Sequence, residues 1–241
     1  MKMTKADVDQ LKIAIAVCRI ADIDSVMITD NKIRGVAASG KMAILSKAVF
    51  TFDPTIKLGI GRLSEFEKRL SIFANETTIE GRLNEKDEVS LLTIASGKSK
   101  VQFRCTSERF IKYPKSNDDT EKCVVSVSKV EINQIARAAK TLAAETLTLA
   151  VDKLGNVKFE CSSPTNETFI SEINSKAEFV NDAESCVHIY SGSLLASVLD
   201  AAARDIDDLN IIVGEFGSIT VSLKGHTILA MPESNQENDD E

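Results

Sequence analysis

Three cations stand seven residues apart near the start of the chain: Lys5, Lys12 and Arg19. In a helix rising about 1.5 Å per residue, that spacing draws them into one line with a repeat of about 10 Å. The stretch that holds them, Thr4 to Ile20, sets Val8, Leu11, Ile15 and Cys18 on one apolar face, the pattern of an amphipathic helix. The cations form a second stripe along the same cylinder, with Asp9 the acid beside them. Exposed helix faces usually mix charge signs, whereas a row of one sign fits phosphates. On one helix alone, such a row is also what an ordinary solvated face offers.

Other chemistry is sparse. The two histidines, His188 and His226, have no metal-ligand neighbour in sequence, and no phosphate-binding glycine loop or nucleophile elbow occurs. Gly59-Ile60-Gly61-Arg62 reads as a plain turn before a helix. The five cysteines, Cys18, Cys105, Cys123, Cys161 and Cys186, lack a CxxC pair. They read as small buried residues of a reducing compartment, the cytoplasm, and not as a zinc site or disulfide frame. Neither a catalytic residue, a metal nor a cofactor is expected. A net charge of −7 argues against a simple DNA-binding surface, yet it permits a chain that is acidic outside and basic on one inner face. The longest apolar run, Ile13 to Cys18, is too short to cross a membrane or to form the core of a signal peptide.

The periodicities predict four helices and many strands, an α+β chain. After the first helix come a hairpin (24–29 and 32–39), a strand over 42–52 and a short strand over 57–61. A second helix over 62–73 has Leu63, Phe66, Leu70 and Phe73 on its apolar face. Strands follow over 76–83, 88–95 and 100–107. The polar stretch from Glu108 to Lys122 carries Phe110, Ile111 and Tyr113 and reads as a linker. Beyond it come a strand over 123–127, a third helix over 130–142 and strands over 146–151, 156–162, 167–174 and 187–190. A fourth helix over 193–203 and strands over 210–215, 218–223 and 227–231 complete the pattern. Residues 233–241 read as a disordered acidic tail. The expected domains are 1–108 and 123–232, joined by a connector over 109–122.

The halves repeat. Val8-Asp9-Gln10-Leu11 parallels Ile132-Asn133-Gln134-Ile135, and Asn31-Lys32-Ile33 parallels Gly155-Asn156-Val157, both at an offset of 124. The basic helix is therefore expected twice, with Arg137 and Lys140 as the cations of the second copy. A repeated basic helix favours a shared basic surface over a solvated face.

Met1-Lys2-x-Thr4-Lys5 with Leu11-Lys12, Gln134-Ile135-x-Arg137-x-x-Lys140-x-Leu142 before Glu145-Thr146-Leu147, and the end Ile228-Leu-Ala-Met-Pro-Glu233 resemble the DNA sliding clamps, most closely the trimeric clamp of T4-type bacteriophages. The resemblance spans the chain. It implies the DNA-clamp fold: two similar domains per chain and a homotrimeric ring, with inner helices around a hole and antiparallel sheets outside. A dimeric ring of six domains would need a longer chain. The implied function is to encircle duplex DNA without regard to sequence and to hold the replicative DNA polymerase on it. Lys5, Lys12, Arg19, Arg137 and Lys140, with Lys68 and Arg204, would face the DNA. Ile111, Tyr113, Met231 and Pro232 would line a pocket for partner peptides, and edge strands near 101–110 and 169–176 would close the ring. The resemblance further implies an ATP-dependent clamp loader, a part in viral late transcription and location in the host cytoplasm. The alternative is a structural oligomer, such as a phage assembly protein with a duplicated α+β fold and no tethering role.

Overall fold

The computed structural model describes residues 1–73, 77–180 and 184–233. Contacts divide the described residues into two compact units: residues 1–117 with 222–228, and residues 118–221 with 229–233.

The first unit runs β1 (Lys2–Met3), α1 (Lys5–Ile20), β2 (Ser25–Thr29), β3 (Lys32–Val36), β4 (Met42–Lys47), β5 (Leu58–Gly61), α2 (Leu63–Leu70), β6 (Thr78–Leu83), β7 (Val89–Ser96) and β8 (Ser99–Arg104). It is one motif, βαβββ, made twice. The motifs exchange their first strands, so the sheets run β1-β6-β7-β8 and β4-β3-β2-β5. Both helices pack inward. Leu11, Ile15, Cys18, Leu63 and Phe66 of the helices and Ile79, Leu92, Ile94 and Phe103 of the strands are all buried, and they supply the apolar core. Phe66 meets Phe103 edge-on, with ring centroids 4.9 Å apart.

The second unit repeats this plan with β9 (Glu121–Ser128), α3 (Lys129–Thr141), β10 (Thr146–Val151), β11 (Val157–Ser162), β12 (Thr168–Ile173), β13 (Glu178–Phe179), β14 (Cys186–Ser191), α4 (Gly192–Ala202), β15 (Asp208–Gly214), β16 (Ile219–Leu223) and β17 (His226–Ala230). The order β12-β11-β10-β14 matches β4-β3-β2-β5, and β9-β15-β16 matches β1-β6-β7. The two-residue β13 is an addition, paired to the far edge of β9. Residues 226–228 of β17 lie with the first unit beside β4, where His226 Nδ1 is 3.1 Å from Ser46 Oγ. Burial pushes the His226 imidazole below its usual pKa.

Several sequence expectations need correction. The strand expected over 42–52 ends at Lys47, because the backbone N–H of Thr51 donates to Asp7 and not to a neighbouring strand. The second helix stops at Leu70, and the strand expected from residue 76 is described from Thr78. Neither β1 nor β13 was expected; each has only two residues, too few for an alternating pattern to show. The expected connector gives its last two residues, Glu121 and Lys122, to β9. Of the expected disordered tail, only Glu233 lies within the described residues.

The short strand expected over 57–61 is β5, and Gly59-Ile60-Gly61 lies in it and is not a plain turn. The glycines are there because another segment crosses at close range. A methyl at Gly59 would lie 2.0 Å from the Thr106 carbonyl oxygen and 2.8 Å from Ile111 Cδ1. Gly59→Ala is therefore expected to destabilise the protein by about 3 kcal/mol, the upper end for an overpacked core. A chemical-denaturation midpoint equal to that of the parent would contradict this.

Candidate nucleic-acid interface

α1 begins on a reciprocal cap. Thr4, in extended conformation, accepts the Asp7 N–H on its hydroxyl. The Asp7 carboxylate accepts the Thr4 N–H at 2.8 Å and the Thr4 hydroxyl at 2.9 Å. That carboxylate also accepts the Thr51 N–H at 2.7 Å and the Thr51 hydroxyl at 2.5 Å, so one buried side chain ties the helix start to the segment after β4. Burial alone would raise the Asp7 pKa, but the hydrogen bonds from Thr51 and Thr4 outweigh it and hold it below the usual carboxylate value.

α3 repeats the device 124 residues on. Ser128 caps the helix, and Glu131 accepts the Ser128 N–H at 3.0 Å and its hydroxyl at 2.6 Å. Glu131 also accepts the N–H and the side-chain amide of Asn174, each at 2.9 Å. Its pKa is likewise lowered, burial opposing and the Ser128 and Asn174 bonds prevailing. The sequence carries the signal for both caps, a hydroxyl residue followed by Lys and then an acid at the third place (Thr4-Lys5-x-Asp7, Ser128-Lys129-x-Glu131).

The caps fix which face of each helix meets solvent. On α1, Lys5, Lys12 and Arg19 are all exposed, as are Asp9 and Ile13. On α3, Asn133, Arg137 and Lys140 are exposed, and so is Val130. Lys68 is exposed on α2. Lys5, Lys12, Lys68, Arg137 and Lys140 form no ion pair among the described residues. The other two candidates differ: Arg19 lies 3.6 Å from Glu67, while Arg204, in the 3₁₀ turn Ala203–Asp205 after α4, lies 2.8 Å from Asp200. Of the cations on α1 only Lys5 has a repeat equivalent, Lys129; at the offset of 124, Lys12 matches Ala136, and Arg137 matches Ile13, so the face recurs while the other charge positions do not. Arg62 and Arg69, also on the second helical segment, turn toward the Phe103 ring instead, 5.8 and 5.4 Å from its centroid.

The residues singled out for partner peptides sit in different surroundings. Ile111 is buried over Gly59. Tyr113 is half-buried, with the Arg34 guanidinium 4.7 Å from its ring centroid and its hydroxyl donating to Glu108. Glu108 also accepts from Lys57 Nζ at 2.8 Å. The hydrogen bonds from Lys57 and Tyr113 hold the Glu108 carboxyl below its usual pKa. This cluster anchors the start of the linker, and sequence alone did not disclose it because its members are up to 79 residues apart (Arg34 to Tyr113). Beside it, Phe110 is exposed, with the Arg109 guanidinium 4.5 Å from its ring centroid.

Met231 and Pro232 are half-buried, and the Glu233 N–H donates to the Ile189 carbonyl at 2.7 Å. The segment after β17 thus runs along β14. The first unit does the same, with the Thr106 N–H on the Gly59 carbonyl at 2.9 Å. Each unit covers one sheet edge with its own exit strand.

No family model matches the sequence, and no curated protein matches it. Solved structures do. The DNA polymerase sliding clamp of Bacillus subtilis superposes with a TM-score of 0.68 at 15% identity, over 97% of this chain and 64% of that one. The PCNA2–PCNA3 complex of Sulfolobus tokodaii gives 0.64 at 16% identity, over 97% and 99% of the two chains. The proliferating cellular nuclear antigen of Entamoeba histolytica gives 0.64 at 13%, over 97% and 98%. The chain has the sliding-clamp fold. The clamp fold extends over both units, since each match covers nearly all of the chain, and the two capped helices belong to it. Against the Bacillus clamp, this chain spans less than two thirds of the length.

Proposed function

We propose that the protein is a DNA sliding clamp: a non-enzymatic, homotrimeric ring that encircles duplex DNA and tethers the replicative polymerase. What supports this is a clamp fold over nearly all of the chain, with five exposed helix cations that have no ion-pair partner among the described residues, on a chain of net charge −7. Lys5, Lys12, Lys68, Arg137 and Lys140 face the phosphates, with Arg19 and Arg204 as weaker members already engaged by Glu67 and Asp200. Attraction of this kind is long-ranged, sequence-independent and salt-sensitive, so it holds a duplex while allowing it to slide. Linkage then acts through effective concentration: a weakly bound polymerase attached to a captive ring stays near the primer end.

On this reading 1–108 and 123–232 are the two clamp domains, with 109–122 as the connector between them. Tyr113, Met231 and Pro232 receive partner peptides, with Ile111 as buried support. An ATP-dependent loader opens the ring, and late transcription is the additional task that the T4-type resemblance implies.

The test is topological. The protein is loaded on nicked circular DNA, and the circle is then linearised. Release through the free ends is expected, together with retention on the uncut circle. Retention after linearisation would overturn the ring. An oligomer that never stays on circular DNA would identify the structural-oligomer alternative.

A further inference from the structure

Two of the five cysteines meet inside the second unit. Cys123 stands on β9, opposite Phe179 of β13 and Val213 of β15, and Cys186 opens β14, opposite Val151. Both lie on the inward faces of their strands. Along β9 the buried residues are Cys123, Val125 and Val127; along β14 Cys186 and Tyr190 are buried, and His188 shares their face. The chain brings the two strands together at both ends of this cluster. The Val180 N–H donates to the Lys122 carbonyl at 2.8 Å, and Cys186 follows only six residues later. The Tyr190 hydroxyl donates to the Gly217 carbonyl at 2.7 Å, and a methyl at Gly217 would lie 2.4 Å from His188 Nδ1. The inward side of β14 thus rests on the turn that follows β15, the neighbour of β9. Between these contacts the Cys123 and Cys186 thiols hydrogen-bond to each other.

Their chemistry differs from that of the other cysteines. Burial pushes the Cys18 and Cys105 thiols up to about 12 and the Cys161 thiol up to about 11, so these three stay protonated and inert. At Cys186 the hydrogen bond from Cys123 outweighs burial, with His188 assisting, and the thiol is held below its ordinary range. Cys123, the donor in that bond, is pushed above it. His188 Nε2 is buried with no hydrogen-bond partner among the described residues, so no other group competes for it.

We propose that Cys186 and Cys123 form a reversible oxidation site for hydrogen peroxide, in which the Cys186 thiolate reacts first and Cys123 closes a disulfide onto it. Cys186 Sγ attacks one peroxide oxygen and the O–O bond breaks. The departing hydroxide takes up a proton and leaves as water, and Cys186 becomes a sulfenic acid. Cys123 Sγ then attacks Cys186 Sγ. The S–S bond forms as the S–O bond breaks, and the hydroxyl leaves with the Cys123 proton as a second water. The two thiols lose two electrons and the peroxide gains them. Exposure sets the order: Cys186 is 6% exposed and Cys123 0%, so a small oxidant reaches Cys186 first. A resolving thiol at hand keeps the sulfenic acid from going on to the irreversible sulfinic acid. A cytosolic disulfide of this sort is transient and redox-sensing, not a structural frame. Its closure would tie β9 to β14 and restrain the unfolded chain between them.

The full-length protein tests this. It is treated with stoichiometric hydrogen peroxide under native conditions, its remaining thiols are blocked, and its peptides are mapped without reductant. A mass loss of two hydrogens is expected, with one disulfide, Cys123 to Cys186, the other three cysteines free, and full reversal by dithiothreitol. The oxidised form is expected to unfold at a higher denaturant midpoint than the reduced form. A Cys123→Ala chain is expected to stop at the Cys186 sulfenic acid, captured by dimedone, and His188→Gln to slow disulfide formation about tenfold. Five free thiols after treatment, a disulfide between any other pair, or oxidation only after denaturant has opened the chain overturns the site. An unchanged rate in His188→Gln overturns the part given to the imidazole. If Cys123→Ala does not fold, the map of the parent still decides. None of these outcomes bears on the ring, whose test is the linearised circle.

Discussion

A chain carrying both Lys12→Glu and Lys140→Glu is expected to fold normally and to lose its hold on circular DNA. Both side chains are exposed and have no ion-pair partner among the described residues, so neither reversal breaks an ion pair there, and surface changes of this sort usually alter stability by about 0.5 kcal/mol or less. The effect on DNA is of another size. Each cation that neutralises a phosphate adds about 0.9 to the slope of log affinity against log salt. Removing two is expected to flatten that slope by about 1.8, and the new acids repel the duplex besides. In a trimer the two substitutions recur three times around the ring. The expected readout is a collapse of polymerase product length at physiological salt with an unchanged thermal midpoint. Unaltered product length would mean that these helices do not face the DNA.

Asp7→Ala and Glu131→Ala are expected to be the costliest single substitutions in the helix caps, at about 2–4 kcal/mol each. Loss of an ordinary cap costs about 1 kcal/mol, and a hydrogen bond to a charged group adds about 1.5–3. Each of these buried carboxylates also holds a second segment, Thr51 or Asn174, whose N–H would lose its partner. The pH dependence has a definite sign. Both pKa values are lowered on folding, so the stabilisation is complete above the ordinary carboxyl range of about 4 and is lost as pH falls through the lowered values. The parent should thus lose stability steeply below about pH 4, and the doubly substituted chain should lose less over that interval. Equal acid-unfolding slopes would contradict the cap assignment.

The helices and most strands were legible because their apolar faces alternate cleanly. Val8 and Leu11, like Ile132 and Ile135, are buried where the spacing put them. The duplication was legible at the offset of 124, and it reappears in the left-handed turn residues Asn31 and Gly155. What sequence could not supply were long-range decisions. Gly59 looks like a turn residue until the Thr106 carbonyl is known to cross it. The linker anchor around Glu108 joins Lys57 and Tyr113, which no local pattern connects. The reach of β4 was overread because Val49, Phe50 and Phe52 continue an apolar run; the two rings instead stack on each other, with centroids 5.0 Å apart. Exposure of the cations was foreseen from spacing alone, but the freedom of Lys12 and the engagement of Arg204 depend on neighbours that spacing does not place.

The exchange of first strands has a bearing on how the polypeptide is made. Lys2 pairs with Glu80, and Met3 with Ile79. A ribosome adding about 5–20 residues each second leaves the leading strand without its mate for about 4–16 s. The nascent amino terminus must stay uncommitted through that wait, while α1 can wind at once around its local cap. Helix first and closure of the β1 sheet last is the order of synthesis that this topology imposes, and a stalled ribosome short of β6 would hold a chain with the strands of β4-β3-β2-β5 but with no mate for β1.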